Sequence, residues 1–352
     1  MKFILKVILL LAICLFIGYN TNLFFSKPVN NENPSDKAVK LDEHLKDKKL
    51  TKDEKKELVS KSSLAKYINK NVSSLEKEFG KPVRIDPSEY GYQSYIFNPK
   101  NAGYMQAGVR DQKVQTIYAL GNDLNLEPYK IGMSAEKIFT DANLQSDLAF
   151  YYQDNYYRFE LSEEDLNIHP LVNLGSGVYA QLNFDRMTSK LVSIRYVNKL
   201  ALIKLHPYEM TYQGDVFTET VSPEKRKKID AAEDQQIFEI TNIIRDRYGV
   251  GTLLYNDRVA TVAYNHSVDM KVNDYFDHES PKYGSLADRF SRANIPYKEA
   301  GENLAFNYID AGAVVEGWLN SEGHRANLLN KSFKEVGNGT FQKYYTQNFL
   351  TK

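Results

Sequence analysis

Phe276-Asp277-His278, Gly301-Glu302-Asn303, Gly317-Trp318 and Gly323-His324-Arg325 follow one another in that order near the end of the 352-residue chain. They bring two histidines and a carboxylate into one domain-sized span, where they can line a single cleft. Ile237, Ile240, Ile244 and Tyr248 recur at helical spacing and stop at Gly249 and Gly251, as a glycine-terminated helix requires. Val259, Val262, Ala263, His266 and Met270 form a second apolar stripe, whose helix runs toward Tyr275-Phe276 and leaves His278 just beyond its end. A histidine within the stripe is expected in the core, held by a hydrogen bond, whereas one at the helix exit is free to face a cleft. Ser280-Pro281 interrupts regular structure, and residues 286–293 suit a short helix that closes before Pro296. Residues 311–319 give a further helix with Trp318 as a core anchor. Ser321 is expected to cap the next helix and to put His324 in its first turn, where outward N–H groups disfavour a protonated ring. Residues 334–341 and 344–350, divided at Gln342-Lys343, read as a closing hairpin.

Taken with Ala263-Tyr264-Asn265-His266-Ser267-Val268-Asp269-Met270 and Tyr344-Tyr345-Thr346-Gln347-Asn348-Phe349, these motifs resemble the bacterial branch of the CAP (SCP/PR-1-like) superfamily. The resemblance covers roughly residues 232–352 and implies an α/β/α sandwich, with helices on both faces of a small sheet. It also implies a cleft lined by two histidines and two acids. His278, Glu302 and His324 match three of those places, and the fourth stays open between Glu322, Glu316 and no residue at all. Two neutral imidazoles and a carboxylate suit zinc or another divalent ion with an open position for water. Such a site permits Lewis-acid or hydroxide chemistry, with Glu302 as ligand or general base. The alternative is a purely structural network in which Glu302 hydrogen-bonds both rings and locks the cleft walls together. There is no HExxH pattern, and neither Ser285 nor Ser321 sits in a Gly-x-Ser-x-Gly elbow. Arg325 is expected to pair with a neighbouring carboxylate. No catalytic residue is assigned, so the expected function is binding of a small or lipid-like ligand, a metal ion or an envelope component. A metal-assisted hydrolase of peptide or cell-wall material is the rival expectation.

Upstream, residues 71–220 look like two copies of one unit and resemble the domain that precedes some bacterial CAP modules. Val72-Ser73-Ser74 and Met133-Ser134-Ala135 each offer a serine N-cap ahead of a short amphipathic helix. Strand-like stretches follow at 92–97, 104–109 and 114–120 in the first copy, and at 148–152, 156–161, 178–184 and 191–197 in the second. Much of the tyrosine falls in these strands, where it serves either as half-buried packing or as a recognition surface. The apolar pattern breaks between about 214 and 230, and the CAP module is taken as 230–352. The whole is therefore α+β, a duplicated helix-plus-hairpin domain followed by the sandwich.

Met1 to Lys6 carries two lysines, and an apolar run then extends to Tyr19. No small-x-small site follows, and Leu23-Phe24-Phe25 prolongs the apolar character, so residues 1–25 are read as an uncleaved anchor in the cell membrane with the rest outside. Cleavage of the segment would give a secreted protein instead. Residues 26–70 are rich in Lys, Asp, Glu and Asn and suit a charged spacer. Cys14 is the single cysteine; Ile13 before it is too large for a lipidation site, and the remaining chain has no disulfide or thiol nucleophile to draw on. With 45 basic and 45 acidic residues the chain lacks the basic excess of a nucleic-acid binder.

Overall fold

The computed structural model describes residues 38–40, 63–98, 103–142 and 144–352. The segment read as an anchor at 1–25, Cys14 and most of the segment read as a spacer lie outside the described residues. Among the described residues no helix is long and apolar enough to cross a membrane.

In the first repeat, α1 (Val72–Phe79) is capped by Asn71, whose side chain accepts from the Ser73 amide, so the cap falls just ahead of the expected serines. Strands β2 (Arg84–Pro87), β3 (Gln93–Phe97), β4 (Met105–Arg110) and β5 (Lys113–Ala119) then run as an antiparallel meander. In the second repeat Ser134 does cap α2 (Ala135–Asp141). It is followed by β6 (Asp147–Tyr152), β7 (Asn155–Glu160), α3 (Glu163–Ile168), β8 (Leu171–Gly175), β9 (Val178–Asp185) and β10 (Lys190–Asn198). Helix α4 (Lys199–Leu205) and strand β11 (Glu209–Gln213) complete the domain.

Both repeats feed one seven-stranded sheet of order β2-β3-β4-β5-β10-β9-β8, joined through the β5–β10 pair. The β6–β7 hairpin leaves that sheet and pairs instead with β11, which also carries the short strand β1 (Ala38–Lys40) in parallel. The central strands are buried on both faces, because alternate residues serve different cores. Ile117 and Ala119 of β5 face a core shared by both halves of the N-terminal domain, while Tyr118 and the following Leu120 face the C-terminal module.

The C-terminal module opens with α5 (Pro223–Arg247), inside the stretch read as a domain boundary. Ser222 caps it and Pro223 occupies its first position, a start signal that the lysine-rich run behind it obscures. After β12 (Leu254–Tyr255) come α6 (Asp257–Val272), α7 (Leu286–Arg292), β13 (Glu299–Phe306), α8 (Ala311–Leu319), α9 (Glu322–Leu328), β14 (Glu335–Phe341) and β15 (Tyr344–Thr351). The sheet has the order β12-β14-β15-β13. Tyr345 and Phe349 of β15 pack with Ile237, Ile240 and Trp318 from α5 and α8 on one face. Leu350 packs with Val259 and Phe290 on the other, and Tyr344 with Met270 and Leu304, so α6 and α7 cover that side. Helix α6 crosses the sheet very closely. A Cβ on Gly339 would lie 1.9 Å from the Tyr264 amide nitrogen and one on Gly337 2.1 Å from that of Ala260, so only glycine fits at these two places.

The two domains meet through polar groups as well as apolar ones. Arg195 pairs with Asp310 at 2.7 Å, and Arg84 with Glu239 at 2.7 Å. Gln236 donates to Asp86 at 2.8 Å, and Tyr90 donates to the Ile309 carbonyl at 2.7 Å.

Candidate functional site

Three elements on the α6–α7 side of the sheet converge on the Glu302 side chain. Strand β13 places Glu302 opposite Asn348 of β15, with the same parity as Leu304, so it faces α6 and α7. One carboxylate oxygen bonds His278 Nδ1 at 2.9 Å, and the other accepts from Arg289 Nη2 at 2.6 Å. Arg289, on α7, also donates to the carbonyls of His278 at 2.9 Å and Gly284 at 3.1 Å. A single buried guanidinium thus ties the His278 loop to the strand that carries Glu302. The position of α7 is fixed by a capping box at Ser285 and Asp288. Nothing in the local pattern of residues 286–293 marks Arg289, because its partner lies on a strand beyond the next loop.

His266 lies in the core, 1% exposed, as its place in the α6 stripe requires. Its Nε2 bonds the Asp277 carbonyl at 3.0 Å and lies 3.9 Å from Glu302, while Nδ1 has no hydrogen-bond partner. Burial holds its pKa below the ordinary histidine value.

His324 stands in the first turn of α9 and is half-buried. Ser321 precedes that helix without a side-chain cap bond. Burial, followed by the proximity of the His278 ring, pushes the His324 pKa down to about 4, so the ring is neutral at pH 7. The neighbouring motif residues hold it in place. Asn303 donates to the His324 carbonyl at 3.1 Å, and Asn327 donates to the Glu302 carbonyl and to Asn303 Oδ1, both at 3.1 Å. Gly301 is needed where it stands, since a Cβ there would meet Asn327 at 2.7 Å and Phe333 at 2.9 Å. Trp318 is 1% exposed and donates to the Leu304 carbonyl at 2.9 Å, which fixes α8 on β13.

The two candidates for the fourth cleft position stand in different surroundings. Glu322 is exposed at the start of α9. Glu316 is buried at the domain boundary, where it accepts from Tyr118 at 2.8 Å and from Ser193. Adjacency to the tryptophan motif suggested a place in the cleft, but the α8 face that carries Glu316 packs on the N-terminal domain. Arg325 does find a carboxylate, and it too lies across the boundary. Both guanidinium nitrogens bond Asp185, at 2.9 and 3.0 Å, and Tyr248 donates to the same group.

The donor set limits how a metal ion would be held. Among the described residues no three His, Cys, Asp or Glu side chains form a ligand group. Glu302 is neutralised by Arg289 and occupied by His278, which makes it a poor third ligand. The hydrogen bond at His278 Nδ1 instead leaves Nε2 as the outward lone pair, the way a carboxylate orients a metal-binding imidazole. An ion held here would rest on the two imidazoles, without a carboxylate ligand.

A three-layer α/β/α sandwich carrying His278, Glu302 and His324, behind a mixed N-terminal domain, has counterparts among known bacterial proteins. Residues 68–208 match the CAP-associated N-terminal family, and residues 238–351 match the Cysteine-rich secretory protein family. The chain is 41% identical over 358 residues to the uncharacterized membrane protein YlbC of Bacillus subtilis (strain 168), with the whole of both chains covered. YkwD of the same organism is 40% identical over 124 residues, 35% of this chain and 48% of that protein. The crystal structure of an extracellular SCP-domain protein from Bacillus anthracis superposes with a TM-score of 0.79 at 39% identity, covering 86% of this chain and all of that one. A cysteine-rich secretory protein from Staphylococcus aureus superposes with a TM-score of 0.73 at 26% identity, covering 83% of this chain and 94% of that one. The chain belongs to the CAP (SCP/PR-1-like) superfamily, in its bacterial extracellular form with the associated N-terminal domain.

Proposed function

We propose that this is a membrane-anchored extracellular binding protein whose CAP cleft takes a small ligand through the imidazoles of His278 and His324, without turnover. Zinc or another divalent ion, a small or lipid-like molecule and an envelope component all fall within this reading. The observation that carries it is the state of Glu302. Both of its oxygens are engaged, one by His278 and one by Arg289, so the group nearest the rings is not poised to take a proton from water. The second reading, a metal-assisted hydrolase, needs that base. A bound ion would supply Lewis-acid polarisation, while Glu302 would keep the His278 ring oriented and Arg289 would hold Glu302 in place. Anchoring through residues 3–25 follows from the apolar N-terminal run and agrees with the membrane-protein description of YlbC.

Calorimetric titration of zinc into the full-length protein in detergent, beside its His278→Ala/His324→Ala variant, tests the ion-binding form. Binding by the parent and none by the variant is the expected result. Hydrolysis of peptides, peptidoglycan fragments or esters that disappears in a folded His324→Ala variant would overturn the binding reading in favour of the enzyme.

A further inference from the structure

A large cleft among the described residues lies outside the CAP module. It has a volume of about 830 Å³ and opens at one end of the N-terminal domain. Turns after β4, β6 and β8 form its rim, together with the start of α4 and the segment that follows β11. Ligand sites commonly have volumes of about 300–1,000 Å³, and loops carried on a rigid sheet are where binding residues concentrate.

Its lining combines three kinds of group. The first is charge: Arg110, Lys113, Lys199 and Lys204 stand against Asp111 and Glu219, an excess of two positive charges. Glu219 is shared by Arg110, at 3.0 Å, and Lys204, while Asp111 lies 3.6 Å from Arg110. Among the described residues Lys113 and Lys199 then have no ion-pair partner. Lys199 instead reaches the Tyr151 carbonyl at 3.3 Å and lies 5.1 Å from the Phe150 ring centroid.

The second kind is aromatic. Tyr152 and Phe217 meet edge to face with centroids 5.6 Å apart. Phe217 has a φ of +52°, a strained conformation for a bulky residue outside any hairpin turn, and such outliers cluster at ligand clamps. The third kind is amide. Asn198 donates to Asn69 at 2.7 Å and to Gln115 at 2.8 Å, and Gln115 donates in turn to the Lys113 carbonyl at 3.2 Å, which orients both side chains and leaves Gln115 one N–H to donate.

Unpaired cations, oriented amides and an aromatic pair in one open cleft recognise different parts of one molecule. We propose that this cleft binds a segment of a polyhydroxylated polymer bearing spaced anionic groups. Lys113 and Lys199 would face the anions, the amides would bond hydroxyls, and Tyr152 with Phe217 would cover the apolar face of a sugar or polyol unit. The site is independent of the His278–His324 cleft.

Full-length protein in nonionic detergent is titrated calorimetrically with oligo(glycerol phosphate), oligogalacturonate, polyglutamate and a neutral dextran oligomer. Binding of either of the first two is expected, and which one binds tells phosphate from carboxylate. Affinity should fall at least about tenfold in Lys113→Gln/Lys199→Gln and also in Tyr152→Ala, and should be unchanged in His278→Ala/His324→Ala. The lysine double variant changes solvent-facing groups, so it tests the proposal even where Tyr152→Ala unfolds. No binding by either hydroxylated polyanion overturns the proposal. So does equal binding of polyglutamate, an unaltered affinity in the lysine variant, or loss of binding in the CAP variant.

Discussion

Glu316→Gln isolates one buried ionisation at the domain boundary. The carboxyl is 5% exposed and accepts hydrogen bonds from Tyr118 and Ser193 of the other domain. Burial pushes its pKa up from 4.5 to about 7, against the opposing effects of Ser193, Arg195 and Tyr118. The folded protein therefore holds this proton more tightly than the unfolded chain does. The resulting stabilisation is complete below pH 4.5 and is lost as pH rises through 7. A shift of 2.5 units, the difference between 7 and 4.5, corresponds to about 3 kcal/mol. Glutamine accepts the same two hydrogen bonds and does not titrate. The stability of Glu316→Gln relative to the parent is thus expected to rise by about 3 kcal/mol between pH 4.5 and pH 8. Urea unfolding of the full-length protein across that range, followed by far-UV circular dichroism and by the fluorescence of its single tryptophan, measures the difference directly. A difference that stays constant with pH, or one that falls as pH rises, would refute the assignment of a protonated carboxyl to this boundary.

His324 should show the opposite sign. Its folded pKa of about 4 lies below the ordinary 6.5, so its contribution is intact above pH 6.5 and is lost as pH falls toward 4, by up to about 3 kcal/mol. NMR titration of the ring in metal-free protein checks this, and a midpoint near 6.5 would contradict it. Asp185→Asn leaves the Arg325 guanidinium without its buried counter-charge and should cost about 3 kcal/mol in urea unfolding. The variant should also be cleaved faster by protease between residues 214 and 222, and an unchanged cleavage rate would argue against a boundary role. Gly339→Ala drives a methyl into the α6 backbone and should destabilise by about 3 kcal/mol or more, read as a drop in Tm, whereas Gly323→Ala, with open space around it, should leave Tm nearly unchanged.

Much of the C-terminal module was legible in local pattern. The stripe through Val259, His266 and Met270 has a helical period, and Trp318 sits in an apolar run, so both could be placed in the core without knowing their partners. The hairpins of the N-terminal domain were equally plain, because period-2 alternation and turn residues are local signals. What remained hidden was long-range. Arg289 meets Glu302 only once a strand and a helix are brought together, and Asp185 meets Arg325 across 140 positions. Glu316 was one of the open choices for the fourth cleft position because it stands near Trp318 in sequence, but successive helical residues point in different directions and its face belongs to Tyr118. The departure of β6 and β7 into a second sheet was hidden for the same reason, since strand partners are chosen by the fold.

The polar boundary between the domains has a consequence for how such chains can be dissected. A cut between residues 214 and 222 would strand Glu316, Asp310, Glu239 and Arg325 on one fragment and Tyr118, Arg195, Arg84 and Asp185 on the other, parting three ion pairs and a buried hydrogen bond. The CAP module cut from its partner domain is consequently expected to lose stability. Loss of an activity on truncation would report a damaged seam as readily as a missing site, so point substitutions in the intact chain are the sounder instrument for dividing labour between its halves.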